Sequence, residues 1–189
     1  MKFKLFVVIL SLVSFFEIYA QEFKLGKVSV AELEEKEHPK DSSAVAAILY
    51  KKGKTYFTYN SKSGFSANHV IEFRIKIYKK EGLSWANQQA YYYVGYEKLN
   101  DDKVRFSSSV TYNLEGGKIV KTKLESEGNF KTKINKFWNQ ATITLPNVKV
   151  GSVIEFKYTL ESENIIKFPD FDFQYEIPVN FFEYKTEVP

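Results

Sequence analysis

The chain has 189 residues, is 44% hydrophobic and 17% aromatic, carries a formal net charge of +4, and contains no cysteine. The missing cysteine excludes a disulfide framework, a cysteine nucleophile, a thiolate metal site and a lipid-modified N-terminal cysteine. The length suffices for one domain with its own core, and so mild a charge gives little drive toward a polyanionic partner.

In chain order, Lys2 and Lys4 precede the apolar run Leu5–Phe16, which closes at Ile18-Tyr19-Ala20. A basic start, an apolar stretch and a small terminal residue form a secretory signal peptide. Cleavage is expected between Ala20 and Gln21. Residues 1–20 are then the signal, and residues 21–189 form one exported domain, periplasmic or extracellular. The apolar run is shorter than the roughly 20 residues of a membrane helix, and no later segment is apolar enough for a span. Ser29-Val30-Ala31-Glu32 has the pattern of a capping box, which opens a short helix that Pro39 stops.

The remainder reads as strands. Val45–Tyr50 and Thr55–Tyr59 flank Lys51-Lys52-Gly53-Lys54, the pattern of a hairpin. Val70–Lys79 alternates, with Ile71, Phe73, Ile75 and Ile77 on one face. Leu83–Gln89 carries a faint helical signal, and Gln89–Val94 and Val104–Leu114 follow as strands. Glu115-Gly116-Gly117-Lys118 turns the chain into Ile119–Lys123, with glycines where positive φ is wanted. Residues 124–138 lack a pattern and are expected to form a mobile connection. In Thr142–Leu160 two alternating runs are separated by Pro146-Asn147 and Gly151; Glu155, Lys157 and Thr159 point away from the apolar face. Phe171–Val179 alternates as a further strand, and Phe181–Val188 is strand-like. About nine strands and one helix predict a mainly β, antiparallel sandwich.

The residues give little chemistry. Lys118, Lys121, Lys123, Lys131, Lys133 and Lys136 cluster, but Glu125 and Glu127 interrupt them, so a solvated surface is expected rather than a nucleic-acid face. His38 follows the helix and His69 precedes a strand; without metal-ligand spacing both are expected to be ordinary surface histidines. Asp101-Asp102 and the pair Asp170, Asp172 are carboxylates of the kind glycoside chemistry uses, yet both read as turns or loops. There is no phosphate-binding loop, dinucleotide fingerprint or nucleophile elbow. No catalytic residue, metal or cofactor is assigned. The aromatic residues are more suggestive. On a strand, Tyr91 and Tyr93 face one way and Tyr92 the other, and Trp85, Tyr91, Tyr93 and Trp138 are the candidate aromatic surface, able to stack on a glycan or a partner domain.

Several short patterns occur together in a fixed order. Asp41-Ser42-Ser43-Ala44 leads into Val45–Tyr50, and Ile75-Lys76-Ile77 is followed by Lys80-Glu81-Gly82. Then come Leu145-Pro146-Asn147-Val148, Val150-Gly151-Ser152-Val153-Ile154-Glu155 and Lys157-Tyr158. Phe173-Gln174, Ile177-Pro178-Val179 and Glu183-Tyr184 complete the order. From about Leu25 to Pro189 the chain resembles the DUF3857 domain, which typically precedes a transglutaminase-like domain in exported bacterial proteins. The resemblance implies an immunoglobulin-like β-sandwich without catalysis of its own. Its partner would be a transglutaminase-like domain, in cis or in trans. It also implies that these residues are the front of a longer protein or a truncated copy of one. A carbohydrate- or envelope-binding module is the alternative.

Overall fold

The computed structural model describes residues 23–188; the segment expected to be a signal peptide and its expected cleavage site at Ala20 and Gln21 lie outside them. A short helix α1 (Val30–Glu34) precedes nine strands: β1 (Ala46–Asn60), β2 (Gly64–Ile77), β3 (Asn87–Tyr93), β4 (Lys103–Glu115), β5 (Lys118–Lys123), β6 (Asn129–Lys133), β7 (Trp138–Thr144), β8 (Val153–Ser162) and β9 (Phe182–Glu187). They form a six-stranded sheet of order β5-β4-β8-β2-β1-β9 and a three-stranded sheet of order β3-β7-β6. Every pairing is antiparallel except β1 with β9. The core lies between the sheets. Ile71, Phe73, Ile75 and Ile77 of β2 meet Ala90 and Tyr92 of β3 and Ala141 and Ile143 of β7 there. Alternation in β2, β3 and β7 thus gives each strand an apolar face turned into the core, as in a two-sheet sandwich.

The long β1–β2 hairpin departs from expectation. Lys51-Lys52-Gly53-Lys54 is not a turn but the middle of a single strand, paired residue by residue with Ile71–Phe73 and their neighbours. The turn falls at Ser61–Ser63, where Asn60 Oδ1 accepts the Lys62 N–H at 2.9 Å and Gly64 takes φ 79°. Gly53 has a packing purpose instead: a Cβ there would stand 2.2 Å from Tyr184 Cδ2 and 2.6 Å from Phe171 Cε2. Gly53→Ala is expected to destabilise the fold by about 1–3 kcal/mol, because two rings must shift. Urea denaturation measures this, and an unchanged midpoint would show that the rings yield freely.

Three further segments differ. The faint helical signal at Leu83–Gln89 corresponds to a 3₁₀ segment, Lys80–Ala86, that runs directly into β3. Residues 124–138 are not an unstructured connection; they hold a 3₁₀ turn and the whole of β6, an exposed edge strand whose two faces are both wet and which therefore carries no alternation. Phe171–Val179 forms no strand. Its only ladder pairing with β1 is an isolated bridge between Ile48 and Val179, and the free edge of β1 is taken by β9. Its alternation reflects Ile177, Tyr175 and Phe171 turning in to seal the core beside the sheet.

The outer face of the large sheet is polar yet buried. Glu155 of β8, expected to point away from the apolar face, and Arg74 and Lys76 of β2 are each at most 1% exposed. Residues before β1 cover them. Arg74 donates through Nε to Glu155 Oε1, through Nη1 to Glu32 Oε1 and through Nη2 to the Lys24 carbonyl, each at 2.7 Å. Glu155 Oε2 also accepts the Gly26 N–H and the Tyr112 hydroxyl. Burial opposes the charge on Arg74, but the Glu155 and Glu32 carboxylates outweigh it and raise its pKa. Lys76 Nζ donates to the carbonyls of Leu33 and Gly151. Within α1 the expected capping box is present, with Ser29 and Glu32 bonded reciprocally. His38, expected at the surface, is 5% exposed, with Nε2 2.8 Å from Asn180 Oδ1 and its ring edge-on to Tyr78. The charged residues of this layer fix where the N-terminal arm docks.

Candidate functional site

β3 and β7 pair so that Tyr93 lies opposite Trp138 and Tyr91 opposite Gln140. This register places Tyr91, Tyr93 and Trp138 on the outer face of the small sheet, while Tyr92 turns inward and is 7% exposed. The Tyr93 ring stands edge-on to Trp138 at 5.2 Å and to Tyr96 at 4.8 Å, and parallel to Phe137 at 6.1 Å. Gln140 Nε2 donates to the Tyr91 hydroxyl at 3.0 Å. Tyr91 is 54% exposed and Trp138 38%.

This wall borders a cleft of about 660 Å³, bounded on its other sides by the β3–β4 loop, the end of β8 and residues 164–169. That volume suits a small-molecule site. Among its lining residues, Asp102 is 7% exposed. Its N–H donates to the Tyr93 carbonyl at 2.9 Å, and Oδ2 accepts the Tyr93 N–H at 3.4 Å. Oδ1 is covered and makes no hydrogen bond. Burial pushes the Asp102 carboxyl up, against the pull of the Ser162 and Tyr96 hydroxyls and the Tyr93 N–H. A buried acceptor left unmatched costs about 1–3 kcal/mol, so an unpaired oxygen just beneath the surface of a cleft is a feature to explain.

The structure brings together three of the four sequence-selected aromatics. Trp85 lies apart, half-buried against the core and edge-on to Tyr175 at 6.2 Å. Asp101, Asp170 and Asp172 are not in the cleft lining, so neither carboxylate pair is assembled there. The six clustered lysines are all exposed. Sequence reasoning set Asp101-Asp102 aside as a turn; both lie in the β3–β4 loop, where Asp101 is exposed and Asp102 buried, and no local signal distinguishes the two.

Other titratable groups taken out of water serve the fold. His69 is not at the surface but wholly buried within β2. Its Nδ1 lies 2.7 Å from Thr55 Oγ1, which also bonds the Tyr184 hydroxyl, and Phe168 lies against the ring. Its Nε2 has no partner, and desolvation lowers its pKa to about 4. Lys51 Nζ donates to the Asp172 carbonyl and the Tyr175 hydroxyl and sits 3.9 Å from the Phe171 ring centroid. Burial lowers its pKa to about 8, against the attraction of Asp172. Among the described residues, no group of three or more His, Asp or Glu side chains could hold a metal ion. A second aromatic surface flanks β9, where Phe173 and Phe182 meet at 4.9 Å with nearly half of each exposed.

Residues 65–189 match the family model DUF3857, described as a domain of unknown function with solved structure. The match begins at Phe65, so the N-terminal arm and β1 precede it. No curated protein matches the chain. Among solved structures, the chain is similar to the crystal structure of a "putative protease" from Parabacteroides distasonis, with a TM-score of 0.48 and 12% identity. The alignment covers 62% of this chain and 23% of that one, so the chain spans less than a quarter of that protein.

Proposed function

The chain belongs to the DUF3857 family, and from that premise we propose that it is an exported, non-catalytic domain that packs against or orients a transglutaminase-like domain, in cis or in trans. The observation that carries this reading is the pair Phe173 and Phe182, which meet edge-on at the start of β9 with nearly half of each residue exposed. Paired rings left outside a well-filled core suit a contact surface. The non-catalytic part is supported by the way Lys51, Lys76, Arg74 and His69 are each tied into packing or internal hydrogen bonds.

The test is hydrogen exchange on this chain, alone and with a transglutaminase-like domain encoded beside it. Protection is expected at β9 and around Phe173, and Phe182→Asp should weaken the association at least tenfold while leaving the chain's own melting temperature nearly unchanged. Absence of protection there would refute the docking surface. The convergence of Tyr91, Tyr93 and Trp138 on one cleft favours a second reading, a carbohydrate- or envelope-binding module.

A further inference from the structure

We propose that the cleft between the small sheet and the end of β8 binds a neutral sugar ring, stacked on the Tyr91–Tyr93–Trp138 wall and anchored by hydroxyl groups that donate to Asp102. This inference rests on the second reading above and gives it a defined site. Two independent features meet there. The wall offers aromatic faces held in place by the Tyr93 contacts to Trp138 and Tyr96, and the C–H face of a pyranose is the apolar surface such rings accept. The lining also holds a carboxylate that is 93% withdrawn from water and has one oxygen without a partner. A small shift of the β3–β4 loop that uncovers this oxygen would let a ligand hydroxyl complete it.

The charges select among donors. Glu97 and Asp102 are balanced in the lining by Lys98 and Lys167, so the cleft has no net attraction for a cation. A hydroxyl donor therefore fits better than the ammonium group of a peptide. The Ser162 and Tyr96 hydroxyls, 3.5 Å apart, are further donors and acceptors in the same lining.

The experiment is an NMR titration of the ¹⁵N-labelled protein with three probes: cellobiose, diacetylchitobiose and, as the cationic control, Nα-acetyl-lysinamide. Saturable shifts with at least one sugar are expected, concentrated at residues 91–102, Trp138 and 162–168. Asp102→Asn should weaken that binding about tenfold, and Tyr91→Ala, a change at an exposed position, should weaken it several-fold; an unchanged amide spectrum away from the cleft establishes that each variant is folded. No saturable shift with either sugar would overturn both this proposal and the module reading. Sugar binding that depends on Tyr91 but is untouched by Asp102→Asn would leave the module reading standing and remove the anchor. Tighter binding of the lysinamide than of either sugar would make the cleft a cation site and overturn the proposal.

Discussion

Arg74→Ala is expected to destabilise the protein by about 3–5 kcal/mol, because removing one partner of a buried ion pair leaves the other charge buried and uncompensated. Glu155, 1% exposed, would keep only its Tyr112 and Gly26 donors. The loss should also have a local signature. Arg74 bonds both Glu32 of α1 and the carbonyl of Lys24, so the variant should release the N-terminal arm. Limited proteolysis within residues 23–41 should accelerate in Arg74→Ala well before the β-strands become susceptible. Glu32→Gln should cost less, since Glu32 is partly solvated and Arg74 retains Glu155. Denaturation midpoints of both variants check the order; equal losses would mean that the arm, rather than the Arg74–Glu155 pair, dominates.

Stability should also fall on acidification through a window set by His69. Its pKa is lowered by burial to about 4 in the fold, against roughly 6.5 for an unperturbed histidine. As pH falls through about 6.5 the unfolded chain takes up a proton that the folded chain refuses, and the refusal ends near pH 4. The unfolded state therefore binds more protons across that window, and stability declines there by on the order of 3 kcal/mol. Asp102 acts in the opposite direction, since its carboxyl is raised in the fold and folding favours its protonation as pH falls. The diagnostic is therefore the comparison with His69→Gln, which keeps a polar group beside Thr55. Its stability profile should lose the decline between pH 6.5 and 4. A parallel decline in both proteins would place the acid sensitivity elsewhere.

How far the fold could be read from the residues follows from what alternation encodes. A period of two states that the faces of a strand differ, and Ile71 to Ile77 of β2 kept that promise, whereas in β4 a register shift between Ser107 and Val110 leaves Val104 and Phe106 in the core between the sheets and puts Tyr112 on the opposite face. It does not state that the polar face meets water. Nothing local announces that the N-terminal arm, 42 residues upstream at Arg74 and 129 at Glu155, will lie over Arg74, Lys76 and Glu155. Gly53 was misread for a related reason: a glycine between lysines is the ordinary mark of a turn, and its actual role depends on Phe171 and Tyr184, far along the chain. Phe171–Val179 alternates as a strand would, but a strand needs a partner, and the edge it might have joined belongs to β9. At the cleft, strand parity correctly separated Tyr91 and Tyr93 from Tyr92. Trp138 joined them through register, Trp85 did not, and the inward turn of Asp102 is a property of the assembled loop.

The order of strands in the large sheet also bears on how quickly the molecule can form. β1–β2 and β4–β5 are hairpins that close locally, but β8 must reach back to lie between β4 and β2, and β9 must return to β1, where Phe182 pairs with Lys51. Such distant partners contribute nothing until a long loop has closed, which places domains of this kind toward the millisecond-to-second end of two-state folding rates. Until β8 arrives, the two hairpins present open edges. The interval before β8 docks is thus when the chain is most exposed to aggregation, and substitutions that loosen β8 should lengthen it even where they barely alter the finished fold.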